Sequence, residues 1–308
     1  MKKLKWLILS TNKQGFGPCP TEVVMRPATA FKELLEKRSN GELQVELISD
    51  FNAYESQYGK KIDYSNLFEA LKNDDVSIAQ VEVSDLGGLH NALDLPWMFE
   101  SHDHATKVLD GKIGAHLNSH LDQRGMVGLA YTYSGGYRAF GSFDSIPTVE
   151  DFAGKTVLIN SNPITKEYME SLGLNTIERK KFKKESDVDF RDTTYIRFKE
   201  GKKFLKSNHS LFLTDIVVSK KFYDTLTASE QETLNAVAKE VATLERGWTT
   251  EDARLFEETA SARGCEIVEL SNADQSAMKE KAESRYSEWE SKYITKIPGI
   301  VNSIKSLN

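Results

Sequence analysis

Four histidines, His102, His104, His116 and His120, form the densest group of metal-capable side chains in the chain. His116 and His120 are four residues apart, so on a helix they share a face and can grip one cation. The zinc-hydrolase version of that spacing needs a glutamate directly after the first histidine, and Leu117 stands there. His104 lies twelve residues before His116, about a third of a turn off the shared face, so it offers no third ligand. The expectation is a pair of hydrogen-bonded helix histidines and no metal. A Gly-x-x-x-x-Gly-Lys-[Ser/Thr] phosphate loop, a Gly-x-Ser-x-Gly nucleophile turn and a Cys-x-x-Cys pair are all missing. Serine, histidine and aspartate are abundant, but none stands in a recognisable nucleophile setting.

The remaining chemistry is charge and hydrogen bonding. Arg138 follows Gly135-Gly136-Tyr137, and its planar guanidinium can meet a carboxylate with two parallel hydrogen bonds. The plain alternative is an internal salt bridge. Arg191 and Asp192 stand in a charged run where Arg191 can line a wall or face solvent. Glu82 ends an apolar strand-like stretch, the end at which α/β sheets place ligand contacts. Asn160 ends another such stretch, and Ser10 and Asn12 follow the first. Trp97 suits either a core or an aromatic cleft wall, and Tyr131, Tyr133 and Tyr137 are weaker candidates.

These residues need elements to hold them. The chain has 308 residues, long enough for two domains, with 39% apolar and 28% charged residues. A net charge of -6 argues against nucleic acid or an anionic membrane surface as the main partner. The basic cluster Lys180, Lys181, Lys183 and Lys184 reads as a solvated face. No run approaches the roughly eighteen apolar residues of a membrane span. Met1–Ser10 imitates a signal peptide but is too short and lacks a small-residue cleavage site, so it reads as a first strand buried on both faces from Leu7. Cys19 and Cys265 can be free thiols or a disulfide, and the sequence leaves both open.

Strand-like and helix-like patterns alternate, as in α/β construction. Strands are expected at Leu43–Ile48, Val76–Val83, Val127–Tyr133, Lys155–Ile159, Leu211–Val218 and Glu266–Leu270. Helices are expected at Thr21–Arg38, Tyr64–Lys72, from Ser101 or Asp103 to about Gln123, Pro163–Leu172 and Asn272–Tyr293. Ser134-Gly135-Gly136 breaks the pattern and marks a crossing between lobes. The charged stretch Ile177–Leu205 carries no clear period. The longest feature, Thr227 to Arg263, has no proline and carries Leu234, Val237, Ala238, Val241, Leu244 and Trp248 at helical spacing. A helix of that length reaches on the order of 50 Å, far enough to cross one lobe and enter a second.

Four segments in this order resemble the solute-receptor subunit of tripartite ATP-independent periplasmic (TRAP) transporters, the dicarboxylate-receptor-like family. They are Leu95-Pro96-Trp97-Met98-Phe99 with His104-Ala105 and Val108-Leu109-Asp110-Gly111; Gly135-Gly136-Tyr137-Arg138; Thr148 to Lys155; and Asn208-His209 with Ser219 to Tyr223 and the long helix. The resemblance implies a two-lobe α/β periplasmic-binding-protein fold with mixed sheets and a long helix spanning both lobes. It implies lobe I as 1–134 plus 210–250 and lobe II as 135–209 plus 251–308. It further implies a monomeric, periplasmic, non-catalytic receptor whose signal peptide has been removed. Such a receptor closes on a small polar, carboxylate-bearing solute and hands it to membrane permease subunits. The alternatives are a ligand-presenting receptor for a sensor protein, and a cytoplasmic carrier or enzyme on the same fold.

The chain departs from that family twice. Leu158 stands where the family's principal ligand-holding arginine belongs, and a leucine cannot pair with a carboxylate. The stretch between Phe182 and Asn208 is also shorter than in the family by roughly ten residues, about one average helix. By the resemblance Arg138 holds the ligand; the expectation added here is that Arg191 or Asn160 compensates for Leu158.

Overall fold

A computed structural model describes residues 1–9, 21–142, 148–197 and 203–307. Ser10, Asn12 and Cys19 lie outside the described residues. Two sheets organise the molecule. The first has the order β2-β1-β3-β10-β4, made of β1 (Lys2–Leu7), β2 (Leu43–Ile48), β3 (Ile78–Glu82), β4 (Met126–Tyr137) and β10 (Leu211–Ser219). The second has the order β11-β9-β5-β8-β6-β7, made of β5 (Ala139–Ser142), β6 (Thr156–Ile159), β7 (Asn175–Glu178), β8 (Phe190–Thr193), β9 (Lys203–Lys206) and β11 (Glu266–Glu269). Both mix parallel and antiparallel pairs.

The first strand shows why the first sheet is buried on both faces. Alternation sends Leu4, Trp6 and Ile8 to one side, where they pack with Phe31 and Leu35 of the helix Thr21–Arg38. Trp6 and Phe31 meet edge to face at 4.9 Å. Leu7 takes the other side with Ala79, Val81 and Met126. The helix Thr21–Arg38 keeps Pro27 inside it.

The chain leaves the first sheet after Tyr137 and returns between Lys206 and Leu211, and the two passages run side by side, with the Arg138 N–H donating to the Ser210 carbonyl at 2.8 Å. Gly135 is indispensable here. Its φ is +99°, and a Cβ would stand 2.0 Å from the Thr194 hydroxyl.

The long helix runs Ala228–Thr259 and starts with a reciprocal capping box between Thr227 and Glu230. Leu234, Val237, Ala238 and Val241 pack on the first sheet. Further along, Phe256 stacks on Tyr195 at 5.5 Å, beside Phe204 of β9. Between these ends the buried Glu245 accepts the Tyr133 N–H at 2.7 Å and the Thr249 hydroxyl at 2.9 Å. One helix therefore contacts both halves, as expected.

Other expectations need correction. The helix expected from Ser101 to Gln123 breaks into His102–Leu109, Lys112–Ser119 and a 3-10 turn His120–Arg124. The break falls at Asp110-Gly111, where a Cβ on Gly111 would meet the Lys107 carbonyl at 2.3 Å. The last helix likewise divides into Asn272–Glu283 and Tyr286–Tyr293. The helix Phe51–Tyr58, capped by Asp50 and by left-handed Gly59, was not expected. Strands β5, β7, β8 and β9, four residues each, were not expected either.

The first sheet also buries an acid. Asp215 on β10 is fully enclosed and pairs in register with Tyr131 and Val81. Burial pushes its carboxyl up to about 8, and Asn118 and the Ala130 backbone oppose that only in part. The folded state thus holds a proton that the unfolded chain gives up near 3.8, so stability falls as pH rises between those values. Asp215→Asn is expected to raise the melting temperature clearly at pH 8 and by much less near pH 4. An equal change at both pH values would contradict this account.

Candidate functional site

The ends of β6 and β8 build one wall. In parallel register Val157 pairs with Phe190, and Leu158 with Arg191. Val157, Ile159 and Phe190 turn into the core with Phe140 and Phe152. Leu158 and Arg191, one position out of phase with them, share the opposite face, and Asn160 continues it. Leu158 is fully buried and Arg191 is 3% exposed, its guanidinium 5.2 Å from the Phe182 ring centre. The leucine and the arginine expected to compensate for it are therefore neighbours across one strand pair.

This wall meets the first sheet through Glu82, the last residue of β3. Asn160 Nδ2 donates to Glu82 Oε2 at 2.9 Å, and Arg179 Nη1 donates to Glu82 Oε1 at 3.0 Å. Arg179 stands directly after β7 and lies 5.6 Å from the Tyr64 ring centre. Burial alone would lower this guanidinium, but Glu82 beside it leaves it raised. A third contact joins Asn162 Nδ2 to Asp94 Oδ2 at 2.5 Å. The orientation of that amide is set by helix chemistry, because Asn162 Oδ1 caps Pro163–Ser171 by accepting the Ile164 N–H at 2.8 Å. Buried Asp94 is pushed up to about 6 by desolvation, which Arg138 partly offsets.

Arg138 is placed in a buried cluster. Its Nη1 donates to Asp192 Oδ2 at 3.2 Å, and its guanidinium lies 3.9 Å from the Phe212 ring centre. Asp192 Oδ1 stands 3.2 Å from His209 Nε2, whose other ring nitrogen is 2.6 Å from the Ser207 hydroxyl. His209 in turn stacks on Phe140 at 4.8 Å. Burial raises Asp192, but Arg138 and then His209 outweigh it and hold the carboxyl below its usual range. The cluster joins residues from both inter-sheet passages through one carboxylate on β8.

The other candidates fall elsewhere. Trp97 and Tyr137 line a hollow of about 380 Å³ with Phe99, Glu100, Asn208 and Lys279, which Glu82, Asn160 and Arg191 do not reach. Trp97 adopts φ 62°, rare for so large a residue. It is held by its N–H to the His209 carbonyl at 2.6 Å and by its indole N–H to Tyr168 Oη at 2.8 Å. Tyr131 and Tyr133 are buried on β4. His116 and His120 have ring centres 4.9 Å apart, and no metal-capable group of three or more is found among the described residues. Cys265 is buried.

Sequence reasoning missed Arg179, Asp94, Asn162 and His209 as parts of this region. Asn162-Pro163 carried a usable signal, since asparagine before proline marks a helix start. Arg179 sat in the stretch without a period and carried none.

A family model described as "Bacterial extracellular solute-binding protein, family 7" matches residues 19–178 and 194–292. The 2,3-diketo-L-gulonate-binding periplasmic protein YiaO of Escherichia coli is 24% identical over 268 residues, covering 82% of this chain and 79% of its own. The C4-dicarboxylate-binding periplasmic protein DctP of Rhodobacter capsulatus is 27% identical over 150 residues, 47% of this chain and 42% of its own. A TRAP periplasmic solute binding protein from Shewanella oneidensis with bound succinate superposes with a TM-score of 0.81. It is 18% identical, with 99% of each chain covered. One from Xanthobacter autotrophicus with bound β-D-galacturonate superposes with a TM-score of 0.79 at 18% identity, covering 100% of this chain and 99% of its own.

Asp192→Asn leaves Arg138 buried beside a neutral amide, and a broken buried pair costs about 3–5 kcal/mol. Urea unfolding at pH 7 is expected to show a loss in that range. The Asp192 carboxyl is depressed in the folded state, so its contribution is present above pH 3.8 and disappears as pH falls below it. The gap between the variant and wild type should therefore close in acid. A loss below about 1 kcal/mol at pH 7 would show that the cluster does not hold the passages together.

Proposed function

We propose, for a chain that belongs to the bacterial extracellular solute-binding proteins of family 7, that it binds a small organic acid between its two lobes and delivers it to a membrane permease. The chain is an extracytoplasmic solute receptor of the TRAP type, a binding protein and not an enzyme. Among its described residues no helix is long and apolar enough to cross a membrane. The permease would be the membrane partner of a TRAP transporter, which is the proposal's account of where the solute goes.

The observation that carries the ligand reading is the wall formed by Leu158, Arg191 and Asn160, which faces Glu82 from the other sheet. Arg191 supplies a guanidinium next to the leucine, within an enclosed and partly aromatic setting that strengthens charge-assisted hydrogen bonds. Arg138 shares its charge with Asp192, so in this reading it orients the passage beside the cleft and Arg191 takes the carboxylate. Asn160 and Glu82 then read the solute's hydroxyl groups. Relatives and structural neighbours that bind diketogulonate, C4-dicarboxylates, succinate and galacturonate support an acid as the solute class.

Titration calorimetry against succinate, galacturonate and erythronate tests the proposal. Wild type is expected to bind at least one, and Arg191→Ala is expected to weaken it by at least tenfold, since removing a buried charged partner costs about 2–5 kcal/mol. An affinity for Arg191→Ala within threefold of wild type would remove Arg191 from the site.

A further inference from the structure

Glu82 is the junction of the two lobes. It belongs to the first sheet, yet both its carboxylate oxygens are engaged by the second half, one by the Asn160 amide at 2.9 Å and one by the Arg179 guanidinium at 3.0 Å. The Arg179 and Glu82 side chains are 14% and 16% exposed, so the pair is enclosed but not sealed. It differs in this from the Arg138–Asp192 pair, whose side chains are 4% and 1% exposed. Across the seam the chemistry is segregated. The first sheet presents a carboxylate, Glu82, while the second half presents donors, Arg179 and Asn160.

A solute entering such a seam must satisfy both sides. A group that meets only donors leaves Glu82 facing it without a donor, and a group that meets only acceptors leaves Arg179 unanswered, and each buried mismatch is costly. Arg179 is not one of the residues assigned to the solute above, and its place directly after β7 sets it two residues beyond Ile177, the register partner of Leu158. We propose that Arg179 is a second solute-holding arginine and that Glu82 is its specificity partner, so that the receptor selects acids bearing a hydroxyl or ammonium donor beside the carboxylate. The solute's carboxylate takes the fork of Arg179, and its donor takes the Glu82 oxygen that the arginine leaves. Glu82 thus holds Arg179 in place when no solute is present and reads the solute's donor when one is. This rests on the receptor reading given above and refines which acids it accepts.

Calorimetric titration with succinate, which has no donor besides its acid groups, galacturonate as a hydroxy acid and glutamate as an amino acid tests it. Wild type is expected to prefer galacturonate or glutamate to succinate, and the better of the two identifies the donor. Arg179→Met is expected to weaken every acid that binds wild type by at least tenfold. Glu82→Gln should weaken the donor-bearing acid by at least tenfold and leave succinate within threefold. Should Arg179→Met fail to melt cooperatively, Arg179→Lys decides, with a loss of at least threefold expected because lysine lacks the fork. Wild-type affinity in the arginine variant, alongside a loss in Arg191→Ala, overturns this inference and leaves the receptor reading standing. Equal losses for succinate and the donor-bearing acid in Glu82→Gln also overturn it. If wild type binds none of the three acids and no erythronate either, the inference and the receptor reading fall together.

Discussion

A single buried carboxylate, Asp192, ties together the two passages by which the chain moves between its sheets. Arg138 sits at the start of the outbound passage and His209 on the return, and Asp192 on β8 lies within 3.2 Å of both. Taking a carboxylate out of water is unfavourable by several kcal/mol unless paired charge and hydrogen bonds replace the solvent. The arrangement is therefore demanding. If either passage moves, a buried charge loses its partner. The adjacent backbone bond from Arg138 to Ser210 and the ring stack of His209 on Phe140 depend on the same alignment.

The long helix braces that joint. Its N-terminal half is fastened to the first sheet by an apolar stripe, Glu245 takes the Tyr133 N–H just before the passage begins, and Phe256 packs against Tyr195 beyond it. The halves also meet through Glu82, whose carboxylate takes the Asn160 amide and the Arg179 guanidinium. In the receptor proposed above, a solute would exchange these Glu82 contacts for its own. A solute that satisfies both walls will then bias the closed arrangement by its differential affinity alone.

The elements that were legible in the sequence are those with long or strongly alternating apolar patterns. The long helix, β1 and the inner strand β10 (nine residues, all buried) fall in this group. The second sheet was half hidden because β5, β7, β8 and β9 are four residues each, too short for a period to register. Two of them also carry charge, as in Phe190-Arg191-Asp192-Thr193. Within the site, Asn160 and Glu82 were legible as strand ends, and the structure brings them together. Arg138 shows the limit of the method. A glycine-rich approach suits a cleft arginine and a buried hinge arginine equally, and its partner Asp192 lies 54 residues away. Only the fold reveals that pairing. Arg179 was invisible for the complementary reason, since its significance comes entirely from Glu82, 97 residues distant.

The account's central claim is that the halves pivot about the Asp192 joint and close on an acid across the Glu82 seam. Spin labels on Glu55→Cys of the first half and Lys166→Cys of the second, with Cys19 and Cys265 replaced by alanine, measure this directly because both labelled positions are exposed. The account predicts a broad distance distribution without solute that becomes shorter and narrower when a bound acid is added. An unchanged distribution at an acid concentration shown by calorimetry to saturate the protein would contradict it.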